Sequence, residues 1–140
     1  PSGQIGLKAN GKVRDYLSPR TEVPFCSPSI TVSEALTVLS SYGYGCVCVV
    51  NEQFELLGIF TDGDLRRGLS ECGGAILECP LEQVMTRKPK VISEDSDVLL
   101  GLEMMESGNP VTVLPVVDAQ HQRFIVGLLH MHTLARAGLL

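Results

Sequence analysis

No run of the sequence approaches the roughly 20 consecutive apolar residues that a membrane-spanning helix needs, and Pro1–Asn10 lacks the charged start and apolar centre of a secretion signal. Neither a membrane nor export is expected, and a cytoplasmic location is. Paired cysteine motifs are also missing. Cys26, Cys46, Cys48, Cys72 and Cys79 are odd in number and contain no C-x-x-C, the spacing that a zinc ribbon or thioredoxin-type site requires. Free buried thiols in a reducing cytosol are the reading that remains. Charge is sparse, at 19% of residues, and its balance is −5. So little charge argues against disorder. The negative sign gives no electrostatic reason to approach DNA or RNA, so nucleic acid is not an expected partner, although an acidic chain can still hold a local basic pocket.

Apolar residues, in contrast, make up 44% of the 140 residues, which is enough for a folded interior. Isolated units of about 60 residues bury too little surface to be robust, so a shared core is expected. The opening Pro1-Ser2-Gly3-Gln4 reads as part of a linker or tag remnant covering 1–11, and the chain as a piece of something longer.

The pattern of the chain is written twice. In the first copy, "KVRDYLSP" is followed by a Pro-punctuated extended stretch, an amphipathic segment, "CVCVV", a polar turn, "LLGIF" and "TDGDLRRGL". The second copy runs "LEQVMTRKP", "KVI", an amphipathic segment, "VTVLPVV", a polar turn, "FIVGLL" and "HMHTLARAGL". The copies span 12–70 and 81–140, with "ECGGAILECP" at 71–80 as a linker around Gly73-Gly74.

Val32, Ala35, Leu36 and Leu39 fall on one face of a helix. Thr31, with Glu34 three residues on, predicts a capping box, so that helix begins after Thr31. In the second copy Val98, Leu102 and Met105 repeat the stripe behind Asp97, another good N-cap residue. Cys46–Val50 with Leu56–Phe60, and Val113–Val117 with Phe124–Leu129, predict antiparallel hairpins. Pro115 lacks a ladder donor and predicts an edge or a bulge at that point. Helices follow, with Leu65 and Leu69, then Leu134 and Ala137, facing inward. Each repeat thus reads strand, helix, strand, strand, helix: an α+β fold whose two β-α-β-β-α repeats pack their sheets in the interior around a pseudo-two-fold axis, leaving clefts between repeats.

The sharpest local signal is Gly58-Ile59-Phe60-Thr61-Asp62-Gly63-Asp64-Leu65-Arg66-Arg67, a strand running into a helix start. The N–H groups of such a start can hold a phosphate or carboxylate, with the Thr61 hydroxyl adding a donor. Asp64 is placed to accept hydrogen bonds from ribose or sugar hydroxyls. The plainer reading, equally open from the local pattern, makes Thr61 only the N-cap and Asp64 its capping-box partner.

From Val13 onward the chain resembles a pair of cystathionine-β-synthase-type (CBS) domains. "GIFTDGDLRR" and "LLHMHTLARAG" resemble the C-terminal pair of the arabinose-5-phosphate isomerase family. The resemblance implies a nucleotide site lined by the Gly-apolar-apolar-Thr/Ser-x-x-Asp motif, with the hydroxyl of Thr61 near phosphate and Asp64 on ribose. Asp62, between these two residues, and Arg66, His130 and His132 complete the expected ligand-binding set. In the second copy His130 replaces the Thr/Ser, and Thr133 stands where "HMHDLLRAG" has Asp, so the motif of that copy departs from the pattern.

Isomerases of this family interconvert ribulose 5-phosphate and arabinose 5-phosphate on the way to the octulosonate (Kdo) of lipopolysaccharide, using an N-terminal sugar-isomerase domain that nothing here resembles. No catalytic residue is therefore expected in this fragment and no cofactor is required. The implied effector is a nucleotide or a nucleotide-sugar such as the CMP-linked pathway product. The implied partners are the parent's isomerase domain and further copies of the chain in a homodimer or higher oligomer. A ligand-free oligomerisation scaffold is the alternative.

The same residues allow two further readings. "IFTDGD" resembles the Asp-x-Asp loop of haloacid-dehalogenase phosphatases, but those enzymes also need a downstream Lys and an acidic Mg²⁺ pair. His130 and His132 form an H-x-H pair without an obvious third metal ligand, which favours ring stacking, hydrogen bonding to a ligand, or helix capping, and no metal is expected. Arg66, Arg67, Arg87 and Lys88 could supply positive charge to an anion, though exposed basic residues are commonly only solvated.

Overall fold

The structure, a computed structural model, describes residues 11–140. The stretch read as a linker or tag remnant lies, apart from Gly11, outside the described residues. The strands are β1 (Ser18–Pro19), β2 (Phe25–Cys26), β3 (Cys46–Val50), β4 (Leu56–Thr61), β5 (Thr86–Arg87), β6 (Ile92–Ser93), β7 (Val113–Val117) and β8 (Ile125–His130). Four α-helices accompany them among the described residues: α1 (Val32–Tyr42), α2 (Asp62–Cys72), α3 (Val98–Glu106) and α4 (Met131–Arg136). Mixed helix and sheet confirm the α+β class.

The chain divides into two compact units. One is Glu22–Pro89, and the other joins the chain up to Thr21 with Lys90–Leu140. In the first unit the sheet order is β2-β3-β4-β5. The predicted hairpin is present, with Cys46 opposite Thr61 and Cys48 opposite Ile59. All five residues of β3 are buried, as an uninterrupted run of Val and Cys allows when both sheet faces are covered. Helix α1 begins where its capping box places it. The Glu34 N–H donates to Thr31 Oγ1 at 3.1 Å and the Thr31 N–H to Glu34 Oε1 at 3.0 Å. It ends at Gly43, whose φ of 73° no β-carbon opposes. Val32, Ala35 and Leu39 turn into a core with Val47, Val49 and Phe60.

An expectation fails in this unit. Leu69 is exposed, and the buried residue of α2 is Asp64. The helix seats through Gly68, where a β-carbon would lie 1.7 Å from Ile76 Cδ1, so its contact line runs along Asp64, Leu65 and Gly68. The segment read as a linker is also more than a tether. Gly73–Glu78 forms a 3-10 helix that buries Ile76 in this core.

The second unit repeats the plan in the order β1-β8-β7-β6, around a core that includes Ile92, Leu114, Val116 and Leu134. Val98, Leu102 and Met105 are buried as predicted. Asp97 holds the N-cap position of α3 but makes no cap bond, because its carboxylate pairs with Lys12 Nζ at 2.8 Å. Lys90 closes the other end, donating to the carbonyls of Met104, Ser107 and Asn109 at 2.9, 2.7 and 3.0 Å. Pro115 is tolerated inside the sheet, not at its edge. The neighbour β6 reaches only Val116 and Val117, and the ladder to β8 shifts register between those two residues.

Each repeat also opens with a short strand that the periodicity did not suggest. The one from the first copy, β1, pairs with β8, while β5 from the second copy pairs with β4. Both dock beside a glycine. A β-carbon at Gly58 would stand 2.7 Å from the Thr86 carbonyl oxygen, and one at Gly127 2.2 Å from that of Ser18. No helix among the described residues is long and apolar enough to cross a membrane.

Candidate functional site

The β4–α2 junction gathers the sequence-predicted residues in the Glu22–Pro89 unit. Thr61 closes β4 and caps α2. Its Oγ1 accepts from the Asp64 N–H at 3.1 Å, and Asp64 Oδ2 accepts from the Thr61 N–H at 3.0 Å. The plainer reading of this pair is thus realised as a reciprocal capping box.

Asp64 is more than a cap partner. Its side chain is 3% exposed, and its Oδ1 accepts from Thr86 Oγ1 at 3.0 Å and pairs with the Arg67 guanidinium. A nearly buried carboxylate is held here by a main-chain N–H, a hydroxyl and a cation, which offsets its loss of water. Thr86 escaped the sequence reading because it lies 22 residues away. The available signal was Gly58, since a glycine inside a strand marks close approach of another backbone.

Asp62 lies exposed at the first position of α2, and its N–H donates to the Gly45 carbonyl at 3.1 Å. Gly45 has a φ of 72°, and a β-carbon there would come within 3.1 Å of Asp62 Oδ2. Burial, together with the nearby Asp62 charge, pushes the Cys46 thiol up to about 12. Arg66 is exposed on α2 and is absent from the Asp64 network, whereas Arg67 is the basic residue that joins it. A hollow of about 440 Å³ in this unit is lined by residues including Phe25, Pro28, Val50 and Phe54. It lies at the Val50 end of β3, away from Thr61, which pairs at the Cys46 end.

In the other unit His130 and His132 come together as a stacked pair, their ring centroids 5.1 Å apart and planes 10° from parallel. His130 Nδ1 accepts from the His132 N–H at 3.0 Å and so caps α4. Burial, and then the His132 and Arg136 charges, lower the His130 pKa. Among the described residues no group of three His, Cys, Asp or Glu side chains is arranged to hold a metal.

Two small α+β units, each with a four-stranded sheet and a strand entering a Thr- or His-capped helix, define the class of protein. The chain belongs to the CBS domain family, whose model matches residues 13–71 and 81–139.

Along all of its length the chain is 86% identical to a protein of Chlamydia trachomatis, of which it covers 43%. Arabinose 5-phosphate isomerase KdsD of Francisella tularensis is 37% identical over 97% of the chain, which covers 40% of that enzyme. The chain therefore spans less than half the length of these relatives. Among solved structures, CBSX2 in complex with AMP has a TM-score of 0.78 at 25% identity, covering 91% of this chain and 96% of that one. The CBS domain pair of protein MJ0100, solved with 5′-methylthioadenosine and S-adenosyl-L-methionine, has a TM-score of 0.74 at 28% identity, covering 90% and 94%.

Proposed function

We propose that this chain is the ligand-sensing part of an arabinose-5-phosphate isomerase, and that it takes a nucleotide or nucleotide-sugar at the β4–α2 junction. The observation that carries the reading is the match to KdsD of Francisella tularensis along 97% of this chain. The AMP held by CBSX2 and the adenosine compounds held by MJ0100 support the ligand class. The repeats then run 12–70 and 81–140 around a linker at 71–80. In this reading the Thr61 hydroxyl, which accepts from the Asp64 N–H, directs its own proton toward a phosphate beside the α2 N-terminus. Asp64 receives ribose hydroxyls, and Asp62 and Arg66 line the approach. His130 and His132 occupy the equivalent place in the second repeat and contact a ligand by stacking.

The effector acts on the attached isomerase only to the extent that it prefers one state of the whole over another. A second reading, a ligand-free oligomerisation scaffold, is favoured by Leu99 and Leu100 on α3, which are 43% and 44% exposed. The corresponding positions of α1 hold Ser33 and Glu34.

A thermal-shift screen of the chain and its Asp64→Ala variant against AMP, GMP, CMP and the CMP-linked octulosonate decides between the readings. A ligand at about 100 times its Kd adds roughly 2.7 kcal/mol, a shift of several degrees for a domain of this size. The sensor requires that shift from one ligand class and its loss in the variant. No shift from any of them, with a homo-oligomer by light scattering that Leu99→Ser/Leu100→Glu dissolves, makes the chain a scaffold.

A further inference from the structure

We infer that Arg67 is an internal competitor for ligand hydroxyls at Asp64 and selects phosphate-bearing nucleotides over bare nucleosides. The inference rests on the nucleotide reading above. A carboxylate offers about four acceptor positions. In Asp64 three are used, by the Thr61 N–H, the Thr86 hydroxyl and the Arg67 guanidinium. A ribose presents two adjacent hydroxyls, so one acceptor must be released before both can bind.

The three donors differ in what releasing them requires. The Thr61 N–H belongs to the main chain at the start of α2, and its bond to Asp64 is half of the capping box. Thr86 sits on β5, fixed by pairing with Ile59 on β4. Arg67 is held by neither constraint. Its side chain is 61% exposed while that of Asp64 is 3% exposed, so the guanidinium can swing clear of the carboxylate into water, whereas the Thr86 hydroxyl, though also exposed, is kept beside Asp64 by the β5 main chain. Ligand hydroxyls therefore enter by replacing Arg67.

The consequence depends on what the ligand carries. A nucleoside displaces the cation and gives it nothing in return. A nucleotide brings a dianionic phosphate to the same helix end, where the released guanidinium, one turn along α2, can form a bidentate pair with it. The Arg67–Asp64 contact thus penalises nucleosides and is repaid by nucleotides.

Isothermal titration of the chain, Arg67→Met and Arg67→Lys with adenosine, AMP, cytidine and CMP tests this. Arg67→Met is expected to bind the nucleoside about two- to fivefold more tightly than the unmodified chain, the range of an ion pair with one partner largely exposed. Its affinity for the matching nucleotide stays equal or falls. Arg67→Lys, which keeps the cation but not the bidentate fork, should hold nucleoside affinity near that of the unmodified chain and bind the nucleotide less tightly. An unchanged or weaker nucleoside affinity in Arg67→Met overturns the competitor role, and equal gains for nucleoside and nucleotide overturn the selector role.

Asp64→Ala separates this inference from the reading beneath it. If AMP or CMP binds the unmodified chain and is lost in that variant, the nucleotide reading stands whatever Arg67 does. If no nucleotide or nucleoside binds any of the proteins, both fail together.

Discussion

His130 does at its helix start what Thr61 does in the other repeat, with a ring nitrogen in place of a hydroxyl. A hydroxyl cap is indifferent to pH near neutrality and an imidazole cap is not. Protonating Nδ1 removes the acceptor for the His132 N–H and places a positive charge at a helix N-terminus, where the dipole opposes it. The lowered pKa has the same sense, because the folded state favours the neutral ring. Its contribution is fully present above the ordinary histidine value of about 6.5 and is lost as pH falls through that value toward the lowered one. Between about pH 7 and pH 5 the melting temperature of the chain should fall more steeply than that of His130→Asn, which keeps a capping acceptor that does not titrate. Parallel slopes would rule out His130 as the sensitive group.

The cysteines separate at the same scale. Burial raises Cys26 to about 11 and Cys46 to about 12, and holds Cys48 well above the usual thiol range, while Cys72, expected to be buried with them, is exposed at the end of α2. Since the thiolate is the reactive form, a thiol reagent at neutral pH should modify Cys72 first and reach Cys26, Cys46 and Cys48 only on unfolding. Much of this was legible in the sequence. The Thr61–Asp64 and Thr31–Glu34 spacings specified both capping boxes, because a cap is a local interaction three residues long. The third and fourth members of the Asp64 network were not legible together. Arg67 could be seen as one of several basic residues, but Thr86 reaches the site only through tertiary pairing.

At the level of elements, the two strand glycines decide where β1 and β5 dock. Gly58 and Gly127 occupy matching places in "LLGIF" and "FIVGLL", and in each case the atom facing the missing β-carbon is a main-chain oxygen, which cannot rotate away as a side chain can. Alanine at either position should cost about 1–3 kcal/mol, as overpacking in a closely packed site does, measured by urea unfolding. Gly58→Ala carries a second consequence. It pushes β5 outward and draws Thr86 from Asp64, so on the nucleotide reading it also weakens ligand binding, whereas Gly127→Ala leaves the Asp64 network intact.

Helices and long hairpins were readable because their periodicity extends over enough residues to stand above noise. The two-residue strands β1, β2, β5 and β6 carry no period at all. Leu69 misled for a related reason. The spacing of Leu65 and Leu69 suits an inward stripe, but α2 seats on Gly68, and the absence of a side chain leaves no hydrophobic signal.

For the whole molecule, the repeats in the sequence and the compact units in space are offset. Cutting the chain at the repeat boundary gives 12–70, which has β4 without β5 and Asp64 without Thr86. Cutting at the unit boundary gives 22–89, which keeps all four strands of its sheet, both glycine-packed contacts of Gly58 and Gly68, and the complete Asp64 network. The second fragment also retains Leu81 and Ile76, both fully buried in its core, which the first lacks.

Fragments of this size are marginal, since a chain of about 60 residues buries only about 60% of the surface it exposes when unfolded. In that regime a missing edge strand and three missing core side chains, Ile76, Leu81 and Met85, outweigh the ten residues that 12–70 gains at its start. The 22–89 fragment should therefore show dispersed amide signals and a cooperative thermal transition where 12–70 shows neither. Equal structure in the two would mean that the local hairpin and helices dominate and that closure of the sheet by β5 adds little. In the full chain the same logic applies to Asp64. Asp64 belongs to a unit closed by the opening residues of the second repeat, so anything that moves β5 reaches the carboxylate directly.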